Sequence, residues 1–112
     1  MKILVTGALG FVGSNLSQFF GKDSNNQVVG IDNRFKLLGS EENYKVIQNA
    51  NVTYEYCDIR NQNDIESLFR FYEGFDVILN MAAQVAFKCS VENPRLDFEI
   101  NALGTFNLLE AT

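Results

Sequence analysis

The chain contains no histidine, one proline, two cysteines, and nine lysines and arginines against fourteen aspartates and glutamates. Without histidine, and with Cys57 and Cys89 far apart, no ligand set at zinc-type spacing can be assembled, so no metal site is expected. Two isolated thiols fit reduced cysteines, and a cytoplasmic location is expected. A net charge of −5 excludes a nucleic-acid surface, which needs clustered positive charge to displace counterions from phosphates. No apolar run approaches the roughly 18 residues that a membrane span requires. The opening Met1-Lys2-Ile3-Leu4-Val5 enters a strand-like run without a charged leader or small-residue cleavage site. Neither nucleic acid nor membrane is therefore an expected partner. What remains is 112 residues, 46% hydrophobic and 21% charged, a composition suited to one soluble domain with a modest core.

Four short apolar runs, Lys2 to Val5, Val28 to Ile31, Val52 to Tyr56 and Val77 to Asn80, read as buried strands separated by stretches long enough for helices. Val12, Leu16, Phe19 and Phe20 mark the apolar face of a first helix that Gly21 helps to end. Ile65, Leu68, Phe69 and Tyr72 repeat the spacing, with Asn61 or Asn63 as cap. Between them, Gly39-Ser40 followed by Glu41-Glu42 suggests a short helix. Pro94 suits the first turn of a last helix running to Thr112, apolar almost all round and expected to be buried on more than one side. Alternating strand and helix predicts an α/β fold, a doubly wound parallel sheet of about four strands. The chain stops within that last helix, so it is expected to be the N-terminal part of a longer protein.

Gly7, Gly10 and Gly13 stand between the first strand and the first helix. Glycine is common in turns, but here the helix would aim its free N–H groups and positive dipole end at the turn, where an anion fits. Gly7 permits the tight turn, Gly10 lets a pyrophosphate approach the backbone, and Gly13 lets the helix pack closely. Asp32 follows 19 residues after Gly13, at the end of the second strand. Alone it reads as a turn residue, helped by Asn33; with the glycines it reads as the acceptor of a ribose's hydroxyls, which repels a 2′-phosphate. Arg34 beside it is what a 2′-phosphate would want, so NAD is expected over NADP with that one contrary signal.

The stretch "TGALGFVG" from Thr6 to Gly13, with "CDIRN" at Cys57 to Asn61, "NMAAQVA" at Asn80 to Ala86 and "SVENPRLDFEINALGTFNLLEA" at Ser90 to Ala111, resembles the extended short-chain dehydrogenases/reductases, the NAD-dependent nucleotide-sugar epimerases and dehydratases. The resemblance covers nearly the whole chain and implies a Rossmann-type fold. It further implies that Gly7, Gly10, Phe11, Val12 and Gly13 surround the pyrophosphate. Asp32 with Asn33 would hold the adenine ribose, and Asp58 with Ile59 would meet the adenine, although Asp58 also reads as a turn or capping residue. Ala82, Ala83 and Gln84 would line the cofactor near its ribose and nicotinamide. Asn101 matches an asparagine that reaches toward the cofactor; the plain alternative is a polar group satisfied within a helix-packing layer. Histidine often stands in the family where this chain has Asn80, whose amide is expected to satisfy local backbone groups.

Family chemistry needs Tyr-x-x-x-Lys. Tyr44, Tyr54, Tyr56 and Tyr72 are followed at the fourth position by Gln48, Asp58, Arg60 and Asp76, so no catalytic residue is assigned. The resemblance implies that the dyad lies past a fifth strand, beyond Thr112, and that the enzyme is the longer parent acting on a nucleotide sugar. A non-catalytic NAD(P)-sensing regulator is the alternative. An apolar last helix and an unpaired fourth-strand edge lead to an expected homodimer or self-association.

Overall fold

The computed structural model describes residues 1–35 and 40–112. The four apolar runs form strands β1 (Lys2–Thr6), β2 (Gln27–Asp32), β3 (Val52–Tyr56) and β4 (Val77–Asn80). They make one fully parallel sheet in the order β3-β2-β1-β4. Consecutive strands step outward from β1 through β2 to β3, and the chain then returns to place β4 on the other side of β1. The strand order therefore reverses between β1 and β4, where a parallel sheet opens a crevice at its carboxyl edge.

Helices α1 (Phe11–Gly21) and α2 (Ser40–Gln48) pack together on one face of the sheet. Helix α3 (Gln62–Tyr72) covers the other. Asn61 caps α3 by accepting from the Asp64 amide. Ile65, Leu68, Phe69 and Tyr72 are all buried with Leu4, Val29 and Ile31, each side chain contributing roughly 1.5–3 kcal/mol. Helix α2 begins at Ser40; Gly39, expected at its start, lies outside the described residues.

Helix α1 differs from expectation. Its buried residues are Gly13, Ser14, Ser17 and Gly21, whereas Val12 and Phe19 are exposed and Leu16 and Phe20 are only partly covered. The reason is proximity. A Cβ on Gly30 of β2 would stand 2.8 Å from the Ala8 Cβ and 3.8 Å from the Ser17 hydroxyl, so α1 sits too near the sheet for large side chains. Nor does Gly21 act as a left-handed cap: it is the last helical residue, followed by a right-handed Lys22, and its missing side chain leaves room for Ala50.

After α4 (Phe87–Glu92), the final helical stretch starts at Pro94 as expected, capped by the Asn93 side chain. It is not one regular helix. Helix α5 (Pro94–Phe98) passes through a π-helical turn, Glu99–Leu103, into α6 (Gly104–Ala111). Burial is confined to one side, through Ile100, Gly104, Asn107 and Leu108, while Phe98, Phe106 and Leu109 are exposed. The expectation of burial on several sides does not hold within these residues. Among the described residues β4 pairs on one side only, as expected for the sheet edge.

Candidate functional site

Beyond β1 the backbone turns at Gly7, with φ 63°. A side chain here would be strained, and its Cβ would lie 2.8 Å from the Met81 carbonyl and the Ala82 amide. The Gly10 amide donates to Gly7 O over 2.9 Å, and Ser14 N donates to Gly10 O over 3.0 Å. Gly10 is the N-cap of α1 without a side-chain cap, and helical geometry leaves the Phe11, Val12 and Gly13 amides without intrahelical acceptors. A Cβ on Gly13 would lie 2.7 Å from the Gly7 carbonyl carbon, so glycine there is demanded by the turn. Gly10 is different. Its φ of −78° suits any residue, and among the described residues an added Cβ would meet one atom, Gly7 O at 3.2 Å, a contact that asks the turn to give slightly.

At the end of β2, Asp32 accepts from Leu9 N over 3.2 Å and from Arg34 N over 2.7 Å, fixing its carboxylate beside the glycine turn. Asn43 of α2 braces the same turn by donating to Leu9 O over 2.7 Å. Asn33 donates to Asp58 Oδ2 over 3.1 Å, and Arg60 grips Asp58 from the other side at 2.6 Å. The Arg60 hydrogen bonds, outweighing partial burial, hold the Asp58 carboxyl down at about 2. Burial, reinforced by neighbouring carboxylates, pushes the Cys57 thiol up to about 12, so it stays protonated and unreactive.

The segment after β4 is tied down by side chains. Thr6 donates to Asn80 Oδ1 over 2.6 Å and accepts from Ala82 N over 2.9 Å. Asn80 donates in turn to Thr105, which donates to Asn101 O. Asn80 thus serves two hydroxyls, not the backbone groups expected from sequence. Gln84 N donates to Asn101 Oδ1 over 2.8 Å, and Asn101 Nδ2 donates back to Gln84 O over 2.9 Å. Through these two bonds the Asn101 amide holds the Gln84 loop. It sits at the middle of the π-helical turn, a backbone irregularity common at functional sites.

These elements enclose a cleft of about 570 Å³. It is lined by Gly7, Gly10, Phe11, Val12, Gly13, Asp32, Asn33, Asp58, Ile59, Ala82, Ala83 and Gln84, which are all the residues singled out from sequence except Asn101. Leu9, Ile31, Asn43, Cys57, Met81 and Ile100 also line it. Most of these are neighbours of recognised motifs, but Asn43 carries no local signal and is brought in by the packing of α2 against α1. The surroundings are apolar with free amides at one end and two fixed carboxylates at the other. Such a site can hold an elongated ligand that carries an anion in its middle and hydroxyl or amine donors at one end.

The sheet order, the reversal at β1 and β4, and the glycine turn at that edge define a Rossmann-type α/β fold. The family model described as GDP-mannose 4,6 dehydratase matches residues 4–112, and the chain belongs to this family, within the extended short-chain dehydrogenases/reductases. CDP-paratose 2-epimerase from Salmonella typhi is 40% identical over 111 residues, covering 99% of this chain and 32% of that protein. Among solved structures, Thermus thermophilus UDP-glucose 4-epimerase in complex with NAD is 38% identical with a TM-score of 0.83, over 99% of this chain and 33% of that one. The Bacillus cereus UDP-glucuronic acid 4-epimerase Y149F mutant, in complex with a fluorinated UDP-sugar and NAD, is 34% identical with a TM-score of 0.84, over 99% and 36%. The chain spans about a third of the length of these relatives.

Proposed function

We propose that these residues are the NAD-binding portion of a nucleotide-sugar epimerase, and that the parent is a CDP-paratose 2-epimerase. The observation that carries the cofactor reading is Gly10: its dihedral angles do not require glycine, and among the described residues an added Cβ would be crowded by one atom alone, Gly7 O at 3.2 Å, so the space otherwise left in front of it is what a close-approaching phosphate would use. In this reading the Phe11, Val12 and Gly13 amides bind the pyrophosphate. Asp32, with its carboxylate oriented by the Leu9 and Arg34 amides, accepts the hydroxyls of the adenine ribose. Asn33 and Ile59 bound the adenine end, where Asp58 accepts from the base alongside Arg60. Ala82, Ala83 and Gln84 form the wall beside the nicotinamide ribose, and Asn101 and Thr6 keep that wall in place.

NAD, when bound, supplies a reversible hydride acceptor. These 112 residues contain no Tyr-x-x-x-Lys, so on this reading they bind cofactor and do not turn over substrate alone. The 2-epimerase reading is supported by the 40% identity to the Salmonella typhi protein; the 38% identity to a UDP-glucose 4-epimerase supports the alternative of 4-epimerisation. Full-length protein assayed with CDP-paratose and with UDP-glucose separates them: inversion at C2 of the CDP-sugar is expected, and turnover of UDP-glucose alone contradicts it. The exposed Phe98, Phe106 and Leu109 and the open β4 edge support self-association of this chain, and a sedimentation profile with monomer alone at high concentration contradicts that.

A further inference from the structure

Arg34 follows Asp32 and Asn33 directly, at the place where a cation can accommodate the 2′-phosphate of NADP, yet it does not line the cleft. Its backbone is left-handed, with φ 55°, and its amide closes a tight turn on Asp32 Oδ1. Its guanidinium lies 5.1 Å from the ring centre of Tyr44 on α2 and 5.3 Å from that of Tyr54 on β3. The two rings meet edge to face at 5.4 Å. Arg34 Nε donates to the Tyr54 hydroxyl over 3.3 Å, and that hydroxyl donates to the backbone carbonyl of Asp32 over 3.0 Å. Burial pushes the Tyr54 hydroxyl above its usual value, so it stays protonated and can play both parts.

We propose that Tyr54 and Tyr44 determine the choice of dinucleotide by holding Arg34 against their rings, which withholds its charge from a 2′-phosphate and leaves the Asp32 carboxylate to repel it. The inference rests on the NAD reading above. Tyr54 is a positioning residue here: it acts through Arg34 and does not touch the cofactor. The arginine that would otherwise suit NADP is the one that the tyrosine pair keeps occupied, and freeing it should turn it into a phosphate ligand.

The test is calorimetric titration of the full-length protein with NAD and with NADP, comparing Tyr54→Phe, Arg34→Ala and the double variant. Tyr54→Phe is expected to lower the ratio of the NADP to the NAD dissociation constant by about fivefold to tenfold, the gain from one charge-assisted contact. Arg34→Ala alone should leave that ratio within about twofold, and in the Tyr54→Phe background it should cancel the gain, the signature of coupled residues. Tyr44→Leu, which removes one ring, should lower the ratio in the same direction and serves if Tyr54→Phe does not fold. An unmoved ratio in the tyrosine variants overturns the proposal, as does a specific loss of NADP affinity in Arg34→Ala alone. Binding of neither dinucleotide by the unsubstituted protein overturns the NAD reading as well, so the two failures are told apart.

Discussion

Replacing Gly10 and Gly13 by alanine, one at a time, separates what the fold requires from what a ligand requires. At Gly13 the new Cβ would press into the Gly7 carbonyl, 2.7 Å from its carbon and 3.1 Å from Ala8 Cα. Both are backbone atoms in a turn already committed at Gly7, so no flexible side chain can yield. Overpacking of this kind costs about 1–3 kcal/mol and more where backbone must move, while alanine in a helix returns about 1 kcal/mol over glycine. The net expectation is a loss of about 2 kcal/mol, which for a domain of this size lowers Tm by roughly 8–12 °C. At Gly10 the Cβ meets Gly7 O alone, at 3.2 Å, and the dihedral angles are ordinary. Gly10→Ala gives up a preferred N-cap residue and crowds that one oxygen, so it should cost about 0.5–1 kcal/mol and lower Tm by roughly 2–5 °C, clearly less than Gly13→Ala, yet place a methyl group where the pyrophosphate approaches and weaken NAD binding at least about tenfold. Thermal unfolding followed by circular dichroism gives the first number and calorimetric titration with NAD the second. Equal destabilisation by the two variants, or unchanged NAD affinity in Gly10→Ala, would refute the division of roles.

Three further outcomes follow from the packing and charge. Among the described residues the buried Ser17 Oγ finds no hydrogen-bond partner, so Ser17→Ala removes an unsatisfied hydroxyl and improves helix propensity; Tm should hold or rise by roughly 2–5 °C, and a clear fall contradicts this. Asn107 donates to Ile59 O over 2.9 Å and to Arg60 O over 3.1 Å. Asn107→Ala strips both carbonyls of their partner and should cost about 2 kcal/mol in denaturant unfolding. Asp58 has its folded value held down at about 2 against about 3.9 unfolded, so its contribution is complete above about pH 4 and is lost as pH falls toward 2. Arg60→Gln should flatten the stability profile in that window, and an unchanged acid limb in urea titrations refutes the pairing.

Much of this architecture can be read in the residues because the signals are local. Val52 to Tyr56 and Val77 to Asn80 keep their bounds as strands, β1 and β2 extend only slightly past their apolar runs, and α3 carries both its stripe and its Asn61 cap. In helix α1 the large apolar side chains, the usual mark of a buried face, are not the ones that lie against the sheet. The sheet beneath it carries Gly30, and the close approach selects Gly13, Ser14, Ser17 and Gly21 in preference to Val12 and Phe19. The π-helical turn around Asn101 has no compositional mark, and the pairing of Asn101 with the Gln84 backbone across 17 residues has no local signal either. The cleft was legible where motif residues line it directly. Asn43 and the tyrosine clamp on Arg34 were not, because both depend on α2, whose contacts with the glycine turn and β3 are made across the fold.

The most direct test of the central claim is titration of the folded protein with NAD alone. One saturable site per chain is expected, with binding weakened at least about tenfold by Asp32→Ala, which removes the acceptor of two ribose hydroxyls. No binding heat at millimolar NAD while circular dichroism shows the fold intact, or binding indifferent to Asp32→Ala, would contradict it.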